Sequence, residues 1–418
     1  KGYSTGNIEH SNGNIITNTF STTAVDTELK PEKKTSVEFG ITLNTLQNRL
    51  NFDVAYYDDL TENQISTIPL PSASGFSNLL TNVGTLRNKG IEMTMTGKPI
   101  RNRNIDWTAT FNYWKNTTTV EELHPLTGEY KSLYGDVAYG NYRVGAVAFE
   151  GGEYGVLYSD SKIAEDDAGN KLMSWHNGVK APYYKRAGGR DKVGSIQPDF
   201  EGSFNNEFRY KNFNLGVLLD MRFGGEVVSF PAKYGTAYGV LETSLNAGLT
   251  ADENLIAKGV DWTSKYSGEQ YTNGVIPVGI FDDGTTITGP DGVNHDVSGM
   301  TWQEAAAAGI VDDAVDEGQW AYWHSAWGTS VVNPNWLYTL SYVSIRNITL
   351  GYNVKLPKYR IQNLNVNLNI RNAGYLYNSS PANLHPESGR GTGSAQSAFI
   401  RTLMPYQRTY TLGLQFTF

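Results

Sequence analysis

The last thirteen residues alternate between two kinds of side chain, and this alternation constrains the fold more than any other feature of the chain. Residues 406–418 read YQRTYTLGLQFTF, with Arg408, Tyr410, Leu412, Leu414, Phe416 and Phe418 on one face and Gln407, Thr409, Thr411, Gly413, Gln415 and Thr417 on the other. A period of two over this length predicts a β-strand with one apolar and one polar face. Outer-membrane β-barrels end on such a strand, so we predict that Phe418 is a barrel assembly signal. A strand of a soluble sandwich can also alternate, so the barrel needs support from the rest of the chain.

Eight further segments alternate in the same way, which gives nine predicted strands. The eight segments are 36–43, 50–56, 91–95, 105–113, 200–210, 213–223, 338–354 and 364–370. In the seventh segment the phase slips between Ile345 and Ile348, and we expect a β-bulge there. One or two more strands are possible within 128–158, and residues 143–149 are the candidate.

The connections between these segments alternate in length. The short ones are 44–48, 101–104, 211–212 and 356–362, and the long ones are 60–88, 117–198, 225–336 and 373–405. Bacterial barrels have short periplasmic turns and long extracellular loops. The sequence therefore predicts an all-β protein, a transmembrane antiparallel β-barrel of the outer membrane, with residues 1–30 in an extracellular loop. Because nine strands are an odd number and open edges are not tolerated in lipid, we expect this chain to be part of a larger barrel.

Composition excludes several other classes. No apolar run reaches the roughly 18 residues that a membrane helix needs. The chain has no cysteine, which excludes disulfides and thiolate metal sites, and its net charge of −8 argues against nucleic acid as a partner. The 26 Tyr, 9 Trp and 16 Phe suit the aromatic girdles of a barrel in contact with outer-membrane lipid.

Five phrases of the sequence resemble a known family of outer-membrane proteins. They are LKPEKKTSVEFG at 29–40, LPSASGFSNLLTNVGTLRNKGIEM at 70–93, MRFGGEV at 221–227, YVSIRNITLGY at 342–352 and LGLQFTF at 412–418. In these phrases the chain resembles the SusC/RagA-type TonB-dependent transporters. The resemblance implies a 22-stranded barrel, of which residues 1–418 would be the C-terminal portion, about strands 14–22. The plug, the segment that engages TonB and the N-terminal strands would lie outside this chain. His385 departs from the family, which usually has an acidic residue before Pro386-Glu387.

The same resemblance implies a function. It implies TonB-dependent import of an oligosaccharide or peptide as the barrel part of a SusCD-like complex, with a SusD-like surface lipoprotein as the lid. Such a protein is not an enzyme and needs no cofactor. Two alternatives are an outer-membrane enzyme, which would need a Ser/His pair that is not evident, and a structural or adhesive β-protein. The latter would not need the alternation of short and long connections.

Candidate substrate-binding residues come from the longest connection and from the polar face of one strand. They are Trp320, Tyr322, Trp323 and Trp327, together with Asp220 and Arg222. Aromatic planes bind sugars and peptide side chains well, although the same residues could pack a core of the loop itself. Calcium in an extracellular loop is an alternative at the acidic clusters 166–167, 282–291 and 312–317, but none of them fits the EF-hand spacing, and a solvated loop is the default interpretation. The six histidines are isolated in sequence, which gives no metal or catalytic set.

Overall fold

The computed structural model describes residues 3–10, 13–20, 22–135, 144–237, 255–320, 337–356, 361–380, 384–387, 394–400 and 406–417. Within these ranges no helix is long and apolar enough to cross a membrane. The strands are β1 Tyr3–His10, β2 Gly13–Phe20, β3 Thr23–Val25, β4 Lys33–Thr45, β5 Leu50–Pro69, β6 Asn78–Arg101, β7 Ile105–Leu123, β8 Lys131–Gly135, β9 Val144–Ala148, β10 Tyr154–Ser159, β11 Leu172–His176, β12 Ala181–Tyr184, β13 Asp191–Ser195, β14 Phe200–Tyr210, β15 Phe213–Phe223, β16 Glu226–Ser229, β17 Leu255–Thr263, β18 Gln270–Pro277, β19 Ile280–Phe281, β20 Thr286–Thr288, β21 Asn294–Asp296, β22 Val315–Asp316, β23 Leu337–Thr339, β24 Tyr342–Leu356, β25 Ile361–Asn378, β26 Phe399–Ile400 and β27 Thr409–Thr417. The helices are α1 Phe230–Ala237, α2 Trp302–Ala307 and α3 Ser394–Ser397, with 3-10 turns at Ser72–Ser74 and Pro125–Thr127.

Nine long strands form one antiparallel sheet, which we call the wall sheet. Its order is β27-β25-β24-β15-β14-β7-β6-β5-β4, so each strand pairs with its predecessor among the nine along the chain. These are the nine strands that the alternating segments predicted. The short strand β3 pairs in parallel with the start of β6, where Thr23 lies opposite Asn78. Strands β4 and β27 are the two ends of this order.

The tight turns lie at one end of the wall sheet. Between β4 and β5 the chain reverses within 46–49, where Leu46, Gln47 and Asn48 all have positive φ. The turn between β14 and β15 is residues 211–212, and Lys211 has φ 52°. At the opposite end lie the connections 70–77, 124–199, 224–341 and 379–408. The predicted alternation of short and long connections is therefore confirmed.

One predicted connection, 60–88, is much shorter than expected. Strand β5 continues to Pro69 and β6 begins at Asn78, so only 70–77 lie outside strands. The ladder shifts register between Thr61 and Gln64, and Asn63 has φ 57°. The parts of β5 and β6 that lie within 60–88 have polar residues on both faces, because a ladder that extends beyond the lipid needs no apolar face. For this reason the period of two is absent from this part of the sequence.

The predicted bulge is confirmed, and its extra residue is Arg346. Leu218 pairs with Asn347 and Leu219 with Ile345, so no residue of β15 lies opposite Arg346. The ladder to β25 shifts at the same place. A bulge twists the strand and re-aims a side chain.

The long connections pack against one another and form two hydrophobic cores. We call them loop core 1, which joins connections 124–199, 224–341 and 379–408, and loop core 2, which joins the first two. Loop core 1 contains Val144, Leu157, Val228, Leu340, Phe399 and Ile400. Loop core 2 contains Met173, Trp175, Tyr184, Phe281, Trp302 and Trp320. The candidate segment 143–149 is thus wrong as a further wall strand, because β9 is buried and pairs with β8 and β10.

Candidate functional site

The two faces of the wall sheet differ in chemistry. One face exposes large apolar side chains along its whole height; Ile41 is 74% exposed and Leu412 is 68% exposed. We call it the apolar face. A contiguous exposed apolar surface of this extent needs a covering, and strands of this length fit a bilayer. The wall sheet therefore presents a lipid-facing surface.

The opposite face, which we call the polar face, carries hydrogen-bonded side chains between neighbouring strands. Thr94 donates to the Asn112 side chain over 2.9 Å, and the Asn112 amide donates to the Ser203 hydroxyl over 2.9 Å. The Trp114 indole N–H donates to the Glu201 carboxylate over 3.1 Å. Burying such polar groups in lipid would cost free energy, whereas an aqueous barrel lumen accommodates them.

Two rows of aromatic rings mark the boundaries of the apolar face. The row near the long connections is Tyr113, Phe200, Phe223 and Tyr377, with successive centroids 5.5, 4.9 and 6.3 Å apart. The row near the tight turns includes Tyr210, Phe213 and Tyr352. Strand β15 runs from Phe213 to Phe223 over about 34 Å, which at a tilt of about 40° spans about 26 Å of membrane. This height matches the roughly 25 Å apolar band of outer-membrane barrels.

A groove of about 550 Å³ lies on the polar face near the tight turns. Its polar lining includes Asp106, Thr108, Asn205, Glu207, Arg209, Asn214, Asn347 and Thr349. The Arg209 guanidinium lies 3.7 Å from the Asp106 carboxylate, and both side chains remain partly exposed. The groove is therefore open to solvent and offers both donors and acceptors to a polar solute.

Asp220, a predicted site residue, is held in an ion-pair network at the bulge. Arg346 donates to Asp220, and it also donates two bonds to Glu387, with lengths of 3.0 Å and 2.6 Å. The three side chains are 26–31% exposed. The bulge makes this possible, because the extra residue aims its guanidinium at both carboxylates. The network joins β15 and β24 to the last connection.

The last connection adds an aromatic cluster to this network. The Tyr375 hydroxyl lies 2.8 Å from His385 Nδ1 and 3.1 Å from the Glu387 carboxylate. The Tyr406 ring lies 5.2 Å from the Tyr375 ring and 4.9 Å from the His385 ring. Burial lowers the pKa of His385, the Glu387 carboxylate opposes this shift, and the Arg346 charge adds to it. The segment His385-Pro386-Glu387, where the sequence departs from the family, thus lies at a charged contact between the last connection and the wall sheet.

Arg222, another predicted site residue, supports a turn. Its guanidinium lies 3.3 Å from the Ile196 carbonyl and 3.4 Å from the Gly224 carbonyl. Gly224 and Gly225 have φ of 77° and 79°. These glycines turn the chain out of β15, and Arg222 holds that turn against the preceding connection. A direct role of Arg222 and Asp220 in substrate binding stays a prediction.

Trp320 is the one member of the predicted aromatic set among the described residues. It is 4% exposed, belongs to loop core 2 and packs edge-on against Tyr184 at 5.2 Å. This is the packing that the alternative interpretation expected. The other three, Tyr322, Trp323 and Trp327, lie outside the described residues, as does Phe418.

The acidic clusters considered for calcium are engaged in local contacts. Asp166 accepts from the Asn170 side chain over 2.9 Å, Asp291 lies 3.0 Å from His295 Nε2, and Asp313 pairs with Lys265 at 2.8 Å. Among the described ranges no three His, Asp or Glu side chains gather as metal ligands. Calcium binding stays a possibility that only the sequence suggests.

The apolar face, the two aromatic rows and the polar face define the class of this chain. It is part of the wall of an outer-membrane β-barrel whose long connections lie outside and whose tight turns lie in the periplasm.

Comparison with known proteins shows which family the chain resembles. Residues 1–177 match the family described as TonB dependent receptor-like, beta-barrel. TonB-dependent receptor P3 of Formosa agariphila is 29% identical over 48% of this chain and 21% of its own length. SusC of Bacteroides thetaiotaomicron is 26% identical over 47% of this chain and 20% of its own length. A structure of the RagAB peptide transporter matches with a TM-score of 0.62 and 17% identity, over 100% of this chain and 38% of that one.

These matches show that the chain is similar to the barrel portion of TonB-dependent receptors of the bacterial outer membrane, SusC among them. The chain spans about a fifth of the length of the curated relatives it matches. Receptors of this family are transporters and not enzymes.

Proposed function

We propose that this chain forms part of the wall of a TonB-dependent importer that moves an oligosaccharide or a peptide across the outer membrane. The observation that carries the proposal is the division of the wall sheet into an apolar face with two aromatic rows and a hydrated polar face. A wall of this kind separates lipid from an aqueous path. The polar groove with Asp106, Glu207 and Arg209 fits a hydroxyl- or amide-rich solute.

The wall sheet needs a partner along both edges, because unpaired strand edges are costly in lipid. We propose that the remainder of the same transporter pairs with β4 and β27 and closes a 22-stranded barrel. That remainder would carry the plug on which TonB pulls. The shares of 21% and 38% that the chain covers of the matched receptor and structure support this assignment.

The packed connections are the proposed contact for a SusD-like surface lipoprotein. Connections 124–199, 224–341 and 379–408 share loop core 1, so they form one body at the outer end of the wall sheet. The segment 321–336 follows Trp320 and holds the remaining predicted aromatic residues. Deletion of residues 300–330 would remove Trp302 and Trp320 from loop core 2. Deletion of 321–330 spares both and is therefore the more specific test of the contact. It should abolish co-purification of the lipoprotein, and unchanged co-purification would refute the contact.

Uptake of labelled oligosaccharides and peptides into cells tests the transport proposal. Uptake should require both this chain and TonB, and uptake without either would contradict it. Glu207 and Phe208 are neighbours on opposite faces of β14, which gives a matched pair of variants. Glu207→Trp should narrow the groove and reduce uptake at normal protein abundance. Phe208→Trp places the same bulk toward lipid and should leave uptake unchanged.

A further inference from the structure

The tight turns of the wall sheet concentrate positive charge in a set of side chains that we call the basic rim. The basic rim consists of Arg49, Lys98, Arg101, Arg103, Lys211 and Lys355. No acidic residue lies within 44–49, 98–104, 211–212 or 355–356. The chain as a whole is acidic, with a net charge of −8 that becomes −14 when these six positive charges are left out. The basic rim is therefore a local feature of one end of the wall sheet and does not follow from the overall composition.

Backbone hydrogen bonds join the turns of the basic rim side by side. The Lys98 N–H donates to the Arg49 carbonyl, and the Lys211 N–H donates to the Asn104 carbonyl, each over 2.7 Å. A third bond of 2.9 Å joins the turn at Lys211 to β24. Neighbouring strands lie about 4.8 Å apart and tilt by about 40°, so the five strand intervals from β5 to β24 cover about 30 Å of circumference. The basic rim is thus a continuous arc and not a single patch.

The charges of the basic rim are available to a ligand. Five of the six side chains are exposed, and Lys98 is partly buried. Within the part of the chain that the structure describes, none of the six forms an ion pair. Arg209, two residues before Lys211, is by contrast paired with Asp106 on the polar face at 3.7 Å. The described residues therefore leave the positive charge of the arc without an ion-pair partner.

The basic rim lies at the depth of lipid headgroups. Tyr210, Phe213 and Tyr352 belong to the aromatic row at this end of the apolar face. The Lys211 ammonium lies 5.3 Å from the centre of the Tyr210 ring, a cation–π distance that holds it on the lipid-facing side. Lys355 follows Tyr352 by three residues, which is about 8 Å along the membrane normal for a strand tilted by about 40°. The headgroup layer on each side of a bilayer is about 5–8 Å thick, so these cations lie among the headgroups.

We propose that the basic rim binds the headgroups of anionic phospholipids in the periplasmic leaflet of the outer membrane. Guanidinium and ammonium groups are good donors to phosphate, and each cation near an anionic lipid surface strengthens the attraction. A zwitterionic lipid brings an ammonium group that the arc repels, so a lipid with net negative charge is preferred. A soluble acidic protein fits less well, because its carboxylates would have to enter the headgroup layer along an arc of about 30 Å. The proposal depends on the tight turns lying in the periplasm and is independent of the transported solute.

Lipid selectivity measured beside the basic rim tests this proposal. Phe213 is lipid-facing and directly follows the turn 211–212, so a bimane fluorophore on Phe213→Cys reports on the adjacent lipid. The complete receptor, with any other cysteine replaced by serine, is reconstituted in phosphatidylcholine. Brominated phosphatidylglycerol and brominated phosphatidylcholine serve in turn as quenchers. Comparing the two quenching curves gives the relative binding constant of the anionic and the zwitterionic lipid at this position.

The labelled receptor should prefer phosphatidylglycerol about threefold to tenfold at low salt. The preference should fall toward one at about 0.5 M NaCl, where the Debye length is about 4 Å. Neutralising three cations close to the fluorophore should bring it close to one at low salt as well; this triple variant combines Arg103→Gln, Lys211→Gln and Lys355→Gln. Each single substitution should lower the preference part of the way, which keeps the proposal testable if the triple variant does not assemble. Heat-modifiable migration on gels shows whether a variant forms the barrel.

The matched control removes the same charge at the outer end of the wall sheet. It combines Lys33→Gln, Lys89→Gln and Lys115→Gln and should keep the full preference for phosphatidylglycerol. A preference of one in the labelled receptor at low salt would overturn the proposal, as would a preference that persists in the rim variants or at high salt. Fluorescent polyglutamate is the probe for an acidic polypeptide. If it binds, is released by the rim substitutions and leaves no lipid preference, the basic rim is a protein-binding surface and the lipid proposal is wrong.

Discussion

Arg346 should hold the last connection against the wall sheet, and replacing it with Met tests this directly. The bulge places its guanidinium between Asp220 and Glu387, one on β15 and one on the last connection. Methionine keeps most of the side-chain length but removes the charge and every donor. The two carboxylates would then face each other without a counter-charge.

The expected effect follows from how exposed the network is. Exposed ion pairs contribute roughly 0–1 kcal/mol, and breaking a buried pair costs about 3–5 kcal/mol. The three side chains are 26–31% exposed, which places them between these limits. We expect local opening of the last connection to become easier by about 2–3 kcal/mol. Hydrogen exchange of peptides that contain residues 384–387 should then accelerate roughly 30- to 150-fold.

Two further variants separate this effect from a general loss of charge. Arg209→Met removes a single pair to Asp106 at 3.7 Å and should leave exchange at 384–387 unchanged. Combining Arg346→Met with Asp220→Asn and Glu387→Gln removes the repulsion and should restore part of the protection. Unchanged exchange in Arg346→Met alone would refute the role of this network.

Three other predictions concern single positions. Gly224→Ala should unfold at a lower urea concentration than Gly268→Ala. Both glycines have φ 77°, but a Cβ at 224 would lie 2.4 Å from the Asp199 carboxylate, whereas one at 268 meets nothing within 4 Å, so the free energies of unfolding should differ by about 1–3 kcal/mol. Equal urea midpoints for the two variants would contradict this. Because the pKa of His385 is lowered from 6.5 in the folded state, its contribution to stability is fully present above pH 6.5 and is lost as the pH falls through the lowered value. The free energy of local opening at 384–387, taken from exchange rates divided by the intrinsic rate at each pH, should therefore fall on acidification, and fall less in His385→Gln. Equal pH profiles for the two proteins would exclude this residue. Phe418→Ser should lower outer-membrane abundance several-fold on immunoblots without changing uptake per assembled molecule, and unchanged abundance would show that Phe418 is not an assembly signal.

The sequence predicted the wall sheet wherever lipid imposes a period of two. In β25, Leu364, Val366 and Leu368 alternate with asparagines, and the strand lies where it was expected. Outside the lipid this constraint is absent, which is why the outer ends of β5 and β6 were missed. The loop cores could not be predicted either, because their residues come from separate connections and follow no period.

The candidate site was only partly predictable for the same reason. Asp220 was identified because it lies on the polar face of its strand. Its partner Arg346 lies 126 positions away in sequence, so the pairing could not be predicted. Two local signals pointed to this network: the phase slip at Arg346 and the departure at His385.

Cysteine labelling along β25 tests the central claim, that the wall sheet separates lipid from an aqueous lumen. The 418 residues contain no cysteine, so a single cysteine at each of positions 364–369 is the one thiol that this chain contributes. A small water-soluble maleimide should label positions 365, 367 and 369, on the polar face, and leave 364, 366 and 368 protected in intact outer membranes. Equal labelling at all six positions, or labelling in the opposite phase, would contradict the account.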